Sequence, residues 1–224
     1  MNYPKVVKTI GLIPASGKAT RINGLPKFAL PISDDSSLLR WHVEKMIEVC
    51  DEVRVSTQDK WYGLIADMNL PITIVRKEPS TLSDAILSLA DRGQERMIFS
   101  MPDTFFTTSR KNPYQGMFDR DGDIILGVFN CPKNLRGKVG QVQVKDSVVI
   151  NAVDKVSDCD FEYMWGFMGF REGFINRIDP ISNTPSTEIV NWIKVGNKVE
   201  AFQIDGDYID VGSFEGVKQL YASI

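Results

Sequence analysis

IPASGKATRINGLPKFALPI, Ile13 to Ile32, follows an apolar run, Val6 to Ile13, that reads as a first β-strand. Small residues come directly after that strand, then Thr20 and Arg21, then Pro26 and Lys27. Small side chains let a backbone approach phosphate oxygens closely, so the N–H groups running from Ala15 through Ser16, Gly17 and Lys18 to Thr20 form a candidate triphosphate cradle. Arg21 and Lys27 add positive charge beside it. Neither the P-loop spacing nor the Gly-x-Gly-x-x-Gly fingerprint occurs here, so the loop belongs to neither of those two phosphate-binding types.

Outward from this loop, apolar runs alternate with helix-patterned ones, which predicts a parallel sheet with crossover helices. Leu38 to Val49 reads as a helix, Glu52 to Ser56 as a strand, Trp61 to Asp67 as a short helix and Ile72 to Val75 as a strand. In Ser80 to Arg92, the residues Leu82, Ala85, Ile86, Leu89 and Ala90 share one stripe, with Ser80 as the expected cap and Gly93 as the expected stop. Arg96 to Ser100 then reads as a strand that delivers Asp103 just past its carboxyl end, where ligands of such sheets sit. Asp123 to Phe129 reads as another strand.

After Pro132 the pattern changes to period two, and GQVQVKDSVVINAVDK turns around Lys145 and Asp146 as an antiparallel hairpin does. Met164 to Phe170 returns as a strand, Thr184 to Val195 as a helix with Pro185 in its first turn, Val199 to Ile204 as a strand and Ser213 to Tyr221 as a closing helix. The expected fold class is α/β: a Rossmann-like mixed, mainly parallel sheet with helices on both faces and a β-hairpin insertion. One domain over 1–224 is expected, with a substrate-facing insertion near 132–160.

Composition narrows the chemistry. A formal charge of -3 with scattered Lys and Arg offers no broad basic face, so nucleic acid is not an expected partner. The opening apolar run is too short to span a bilayer and lacks a signal-peptide pattern, so no membrane partner and a cytoplasmic location are expected. Cys50, Cys131 and Cys159 have no metal-type spacing and read as free thiols in a reducing compartment. His42 is the only histidine, which excludes a histidine-based triad or a His-rich metal site. It is expected as a packed or partly exposed helix residue.

Ser16-Gly17-Lys18-Ala19-Thr20-Arg21-Ile22, followed by Pro26-Lys27 and Leu30-Pro31-Ile32, resembles the nucleotidylyltransferase superfamily, in particular its sugar-1-phosphate members. Ala19 and Ser16 stand where that family usually has glycine, and Pro14-Ala15-Ser16-Gly17 is closer to its cytidylyltransferases. The resemblance implies a nucleotide-diphospho-sugar transferase-like fold and Mg²⁺-dependent transfer from a nucleoside triphosphate to a sugar 1-phosphate. It also implies that Thr81 and Leu82 lie near the nucleobase, and that Asp103 and Asp210, the latter in Tyr208-Ile209-Asp210-Val211-Gly212, bind the Mg²⁺. By the same likeness Gly140, the Asp154-Lys155 pair and Gly166 face the sugar phosphate, with Val156 in place of the family's proline and Trp165 bulkier than its counterpart.

An acceptor phosphate is already ionised at neutral pH, so the implied reaction needs positioning and charge neutralisation rather than a general base. Arg21 is assigned to the departing phosphates, Lys27 to the α-phosphate, and Lys155 to the acceptor phosphate. Two alternatives stay open. One is a cytidylyltransferase for phosphocholine or another small alcohol phosphate, with Trp41, Trp61, Trp165 and Trp192 as candidate cage residues. The other is a catalytically silent nucleotide-sugar sensor. Arg76 leaves the base undetermined, and nothing in the sequence sets the oligomeric state.

Overall fold

Thr9–Pro14 forms strand β1, and all six of its residues are buried, as expected for a central parallel strand covered on both faces. Ile10 and Leu12 enter one core cluster and Ile13 a second, while Gly11 lets Met46 approach the sheet, since a Cβ there would lie 2.8 Å from Met46 Sδ. The computed structural model describes residues 8–19, 22–90, 96–108, 112–181 and 185–224.

After β1 the chain forms β2 (Pro31–Ser33), β3 (Ser36–Ser37), α1 (Leu38–Ile47), β4 (Glu52–Thr57), α2 (Asp59–Asp67), β5 (Thr73–Arg76), α3 (Leu82–Leu89), β6 (Arg96–Ser100) and β7 (Thr104–Phe106). It continues with β8 (Ile124–Asn130), β9 (Gly140–Lys145), β10 (Val148–Asp154), β11 (Tyr163–Phe170), α4 (Glu172–Ile175), α5 (Pro185–Lys194), β12 (Val199–Gln203), β13 (Tyr208–Asp210) and α6 (Phe214–Ser223). Short 3-10 turns occupy Lys27–Ala29 and Pro113–Met117.

Nine strands form one sheet in the order β5-β4-β1-β6-β11-β8-β12-β10-β9. β5, β4, β1 and β6 are parallel, and β11 is antiparallel to both β6 and β8. β12 is parallel to β8, and β10 is antiparallel to β12 and β9. Only β11 and β10 therefore oppose the common direction, which is the mixed, mainly parallel sheet that the alternation predicts.

β11 is shared along one edge: its carboxyl half pairs with β6, from Phe167↔Ser100, and its beginning pairs with β9 through Tyr163↔Val142 and Met164↔Gln141. β9 thus takes over where β6 ends. This sets the base of the β9–β10 hairpin beyond the carboxyl end of β6. The hairpin turns at Asp146 and Ser147, with φ of 50 and 64.

Helices cover both faces. α3 and α5 supply Ile86, Leu89, Ile189 and Trp192 to one cluster, and α1 supplies Leu39, Val43 and Met46 to the other. A third, smaller cluster joins Leu30, Leu38, Phe105, Ile209, Val211 and Leu220. It fastens the segment after the β1 loop, Ala15 to Ala19, to a two-stranded sheet, β13 with β7, that the sequence did not announce.

Two local expectations need correction. α3 is capped by Thr81, whose side chain accepts from the Asp84 N–H, rather than by Ser80. Ser80 instead gives its own N–H and hydroxyl to the Asp84 carboxylate. α3 ends at Leu89 because Ala90 turns extended, with ψ 143, and the expected stop at Gly93 lies outside the described residues. Pro185 opens α5 as expected, with Thr184 outside the described residues.

Candidate active site

Three parallel strands end at one place. β1 runs into Ala15–Ala19, β4 into Gln58, and β6 into Met101-Pro102-Asp103. The ladder between β1 and β4 extends one step further, because the Ala15 N–H donates to Ser56 O at 2.9 Å. This corrects the expected cradle, since the Ala15 N–H is committed to the sheet. The N–H groups of Ser16, Gly17, Lys18 and Ala19 donate to no partner among the described residues, so of the expected cradle only these are open. Thr20 and Arg21 lie outside the described residues.

The loop is held from below by two residues that the sequence did not single out. Gln58 Nε2 donates to Ser16 O at 2.7 Å, and Ser56 Oγ meets Ser16 Oγ at 3.0 Å. Both partners are buried polar groups at the end of β4, which is why only their position past a strand could have marked them. Ala19 has φ 49, the left-handed region, and its carbonyl accepts the N–H groups of Ile22 and Gly24. Ala19 therefore has a glycine's backbone while carrying a Cβ.

Lys27 starts the 3-10 turn after the loop, and its ammonium lies 2.8 Å from Asp103 Oδ2, with the two side chains 13% and 17% exposed. Lys27 and Asp103 line a cleft of about 360 Å³ with Ala15, Gly17, Ala19 and Phe28. A second cleft of about 970 Å³ shares Pro14, Gly17 and Met101 with the first, and is walled by Lys18, Gln58, Glu78, Thr81 and Leu82. Thr81 and Leu82 therefore stand at a cleft that adjoins the loop after β1. The Thr81 hydroxyl also serves the backbone, accepting from the Asp84 N–H and donating to Pro180 O at 2.6 Å.

Asp210 reaches the site through the β7–β13 pair, in which it stands opposite Thr104, and the Val211 N–H donates to Asp103 O at 2.9 Å. Asp210 Oδ1 accepts the Gly212 N–H at 2.8 Å. The Tyr208 phenol is held far above its usual range, first by burial and then by the carboxylates of Asp210 and Asp103, so one ring feels both acids. A carboxylate on β13 and one in the turn just before β7 are hard oxygen donors of the kind that Mg²⁺ takes together with phosphate oxygens and water, so these residues would fit that ion. Among the described residues no group of three or more His, Cys, Asp or Glu side chains could hold a metal ion.

His42, read from sequence as a packed or partly exposed residue, is wholly buried. Its Nδ1 lies 2.7 Å from Tyr114 Oη and its Nε2 lies 2.8 Å from Thr104 O. Burial pushes the imidazole down to about 4, against opposing contributions from the Thr104 carbonyl and the Asp103 charge. The ring is neutral at pH 7 and takes no part as an acid or base at the cleft.

The remaining sequence-derived residues gather at the hairpin base. Asp154 pairs with Gly140 across β9 and β10, and the Lys155 N–H donates to Val139 O from a left-handed backbone of φ 54. Gly140 admits the Trp165 indole, since a Cβ there would lie 2.2 Å from Trp165 Nε1, which donates to Ser186 Oγ. Gly166 is small for packing, as its Cβ would meet the Phe129 ring at 2.6 Å. Neither cleft is lined by Gly140, Asp154, Lys155 or Gly166. The tryptophans keep separate company: Trp41 with Phe105 and Phe106, Trp61 with Phe28, Trp165 with Ser186, and Trp192 with Phe174.

No protein-family model and no curated protein matches the chain. Solved structures match its fold over nearly the whole length. A Bacillus anthracis protein assigned as a glucose-1-phosphate thymidylyltransferase, solved with sucrose, has a TM-score of 0.82 at 15% identity, covering 96% of this chain and 94% of its own. A UDP-glucose pyrophosphorylase with UDP-glucose gives 0.78 at 18% identity, over 97% and 98%. The inositol-1-phosphate CTP transferase of T. maritima gives 0.75 at 15% identity, over 96% of each chain. What is shared at these identities is the fold, and it is the α/β fold that the sequence predicts. Among the described residues no helix is long and apolar enough to cross a membrane.

Proposed function

We propose that the protein transfers a nucleotidyl group from a nucleoside triphosphate to a sugar 1-phosphate and releases pyrophosphate. The observation that carries this reading is the Lys27–Asp103 pair, 2.8 Å apart, in a cleft shared with a loop where the N–H groups of Ser16, Gly17, Lys18 and Ala19 meet no partner among the described residues. The likeness of the fold to structures of nucleotidyl- and pyrophosphate-handling enzymes supports it.

In this reading the N–H groups of Gly17, Lys18 and Ala19 hold phosphate oxygens, and Arg21 and Lys18 add charge toward the departing pyrophosphate. Lys27 sits against the α-phosphate, where negative charge builds as an acceptor oxygen attacks in line. The adjoining cleft, with Thr81 and Leu82 in its wall, receives the nucleoside. Lys155 and Asp154, at the hairpin base beyond the carboxyl end of β6, would meet the acceptor phosphate and its hydroxyls, while Gly140 and Gly166 make room for Trp165 and Phe129, which shape that end of the site. Asp103 and Asp210 would hold Mg²⁺, which neutralises phosphate charge when bound. No side chain needs to remove a proton, in keeping with a single histidine that is buried and committed.

The test is a panel of the common nucleoside triphosphates crossed with sugar 1-phosphates and alcohol phosphates, read by pyrophosphate release. Release that needs both substrates supports the reading, and an alcohol phosphate as the sole acceptor moves it to that substrate class. Binding of triphosphate with no release on any acceptor marks a sensor and overturns it.

A further inference from the structure

The turn that presents Asp103 is short, and its anchors can be named. Thr104 Oγ1 donates to Met101 O at 2.8 Å, the Val211 N–H donates to Asp103 O, and His42 reaches Thr104 O from the buried face of α1. The first two come from within the turn and from the residue that follows β13, a strand itself paired to β7. The third ties the turn to a helix packed on the main sheet.

The chemistry of the three groups around the ring fixes its state. A carbonyl oxygen only accepts, so Nε2 carries the hydrogen that meets Thr104 O. Nδ1 is then an acceptor, and the Tyr114 hydroxyl must donate to it, with Ser100 Oγ at 3.4 Å as a long second neighbour. Trp41 and Phe106 stand edge-on to the ring at centroid distances of 4.9 and 5.7 Å and close it from water. An apolar side chain would fill this space without desolvating two nitrogens. The imidazole therefore stands where its Nε2–H can hold one carbonyl, and that carbonyl follows the acid of the cleft by one residue.

We propose that His42 is a positioning residue: its Nε2–H, kept in that tautomer by Tyr114, fixes the turn that holds Asp103 against Lys27. The proposal rests on the nucleotidyl-transfer reading for its kinetic consequence, and on geometry alone for the tautomer. His42 touches no substrate and acts only through the Thr104 carbonyl. Displacement of a catalytic group by about 1 Å costs about 10² in rate, so the effect falls on turnover more than on affinity.

Three measurements on the full chain decide it. His42→Phe keeps an aromatic filler and removes both bonds, and is expected to lower kcat for pyrophosphate release by about 10² with the KM for triphosphate little changed. His42→Gln, whose amide can reach the Nε2 position, is expected to recover most of that loss. A folded His42→Phe protein with undiminished kcat, or a glutamine variant no better than the phenylalanine one, overturns the proposal. Should His42→Phe fail to fold, Tyr114→Phe removes only the hydroxyl that orients the ring, and an unchanged kcat there overturns it as well. Because this is the sole histidine, ¹⁵N-histidine labelling gives one imidazole signal pair. The Nε2–H tautomer at pH 7 is expected, and the Nδ1–H tautomer overturns the proposal even if no acceptor is found and the transfer reading itself has failed.

Discussion

Lys27 Nζ and Asp103 Oδ2 lie 2.8 Å apart although their residues are 76 positions apart in the chain. The cation comes from the segment after β1 and the acid from the turn after β6. Both strands are neighbours in the sheet, so the contact is set by topology rather than by local sequence. Replacing Lys27 with Ala leaves a half-buried carboxylate without its ammonium and removes charge where it would build in the transition state. Pyrophosphate release is expected to fall by about 10² to 10³, with the far-UV spectrum unchanged. A Lys27→Ala protein with near-normal turnover would remove this lysine from the chemistry.

Ala19 sits at φ 49, where a Cβ costs about 1–2 kcal/mol, while glycine loses about 0.5–1 kcal/mol more on folding. Relief exceeds that loss, so Ala19→Gly is expected to stabilise the protein by roughly 0.5–1 kcal/mol in urea unfolding. A fall in the midpoint would mean that the loop does not depend on this backbone conformation.

The buried imidazole makes the fold acid-sensitive. Its folded value, about 4, is below the ordinary 6.5, so between those limits the unfolded chain binds more protons. Stability attached to this group is fully present above 6.5 and is lost as the pH falls toward 4. The loss is of the order of 3 kcal/mol, from about 1.4 kcal/mol per unit of displacement. Urea midpoints taken from pH 7 to pH 4 should fall more for the native protein than for a folded His42→Gln protein. Equal falls would show that other groups carry the acid sensitivity. Glu52, held down to about 2 chiefly by Arg54 and Lys8, adds its own loss only below the ordinary 4.5.

Gly140 is set against the Trp165 indole so closely that any Cβ must push it from Ser186. Gly140→Ala is expected to cost about 1–3 kcal/mol, as overpacking does, and a second change, Trp165→Phe, should return part of it. If the two costs simply add, the contact is not what the glycine serves.

Most of the fold was legible because its elements announce themselves locally. The wholly apolar TIGLIP run, the stripe of α3 and the period-two hairpin each state their own environment within a few residues. The β7–β13 pair could not be read that way. Three residues at Thr104–Phe106 find three at Tyr208–Asp210, and neither segment has a pattern long enough to mark a strand. For the same reason Asp210 entered by family likeness alone, and the pairing is what gives it a place beside Asp103. In the loop, spacing foretold small residues and charge, but not that the Ala15 N–H would be spent on Ser56 O, since such a bond depends on how far the ladder runs. The environment of His42 was equally unreadable: its partners Thr104 and Tyr114 are 62 and 72 residues away. Gly140, Asp154 and Lys155 were expected to face the sugar phosphate; they stand together at the hairpin base beyond the carboxyl end of β6, and none of them lines either cleft.

The account turns on whether Asp103 and Asp210 act as one pair at the phosphate loop. The decisive measurement is pyrophosphate release from triphosphate and sugar 1-phosphate as Mg²⁺ is titrated, compared across the native protein, Asp103→Asn and Asp210→Asn. Both folded variants should lose at least about 10² in turnover, and residual activity should need more Mg²⁺ than the native protein does. Native turnover in either variant at the native Mg²⁺ requirement would contradict the account.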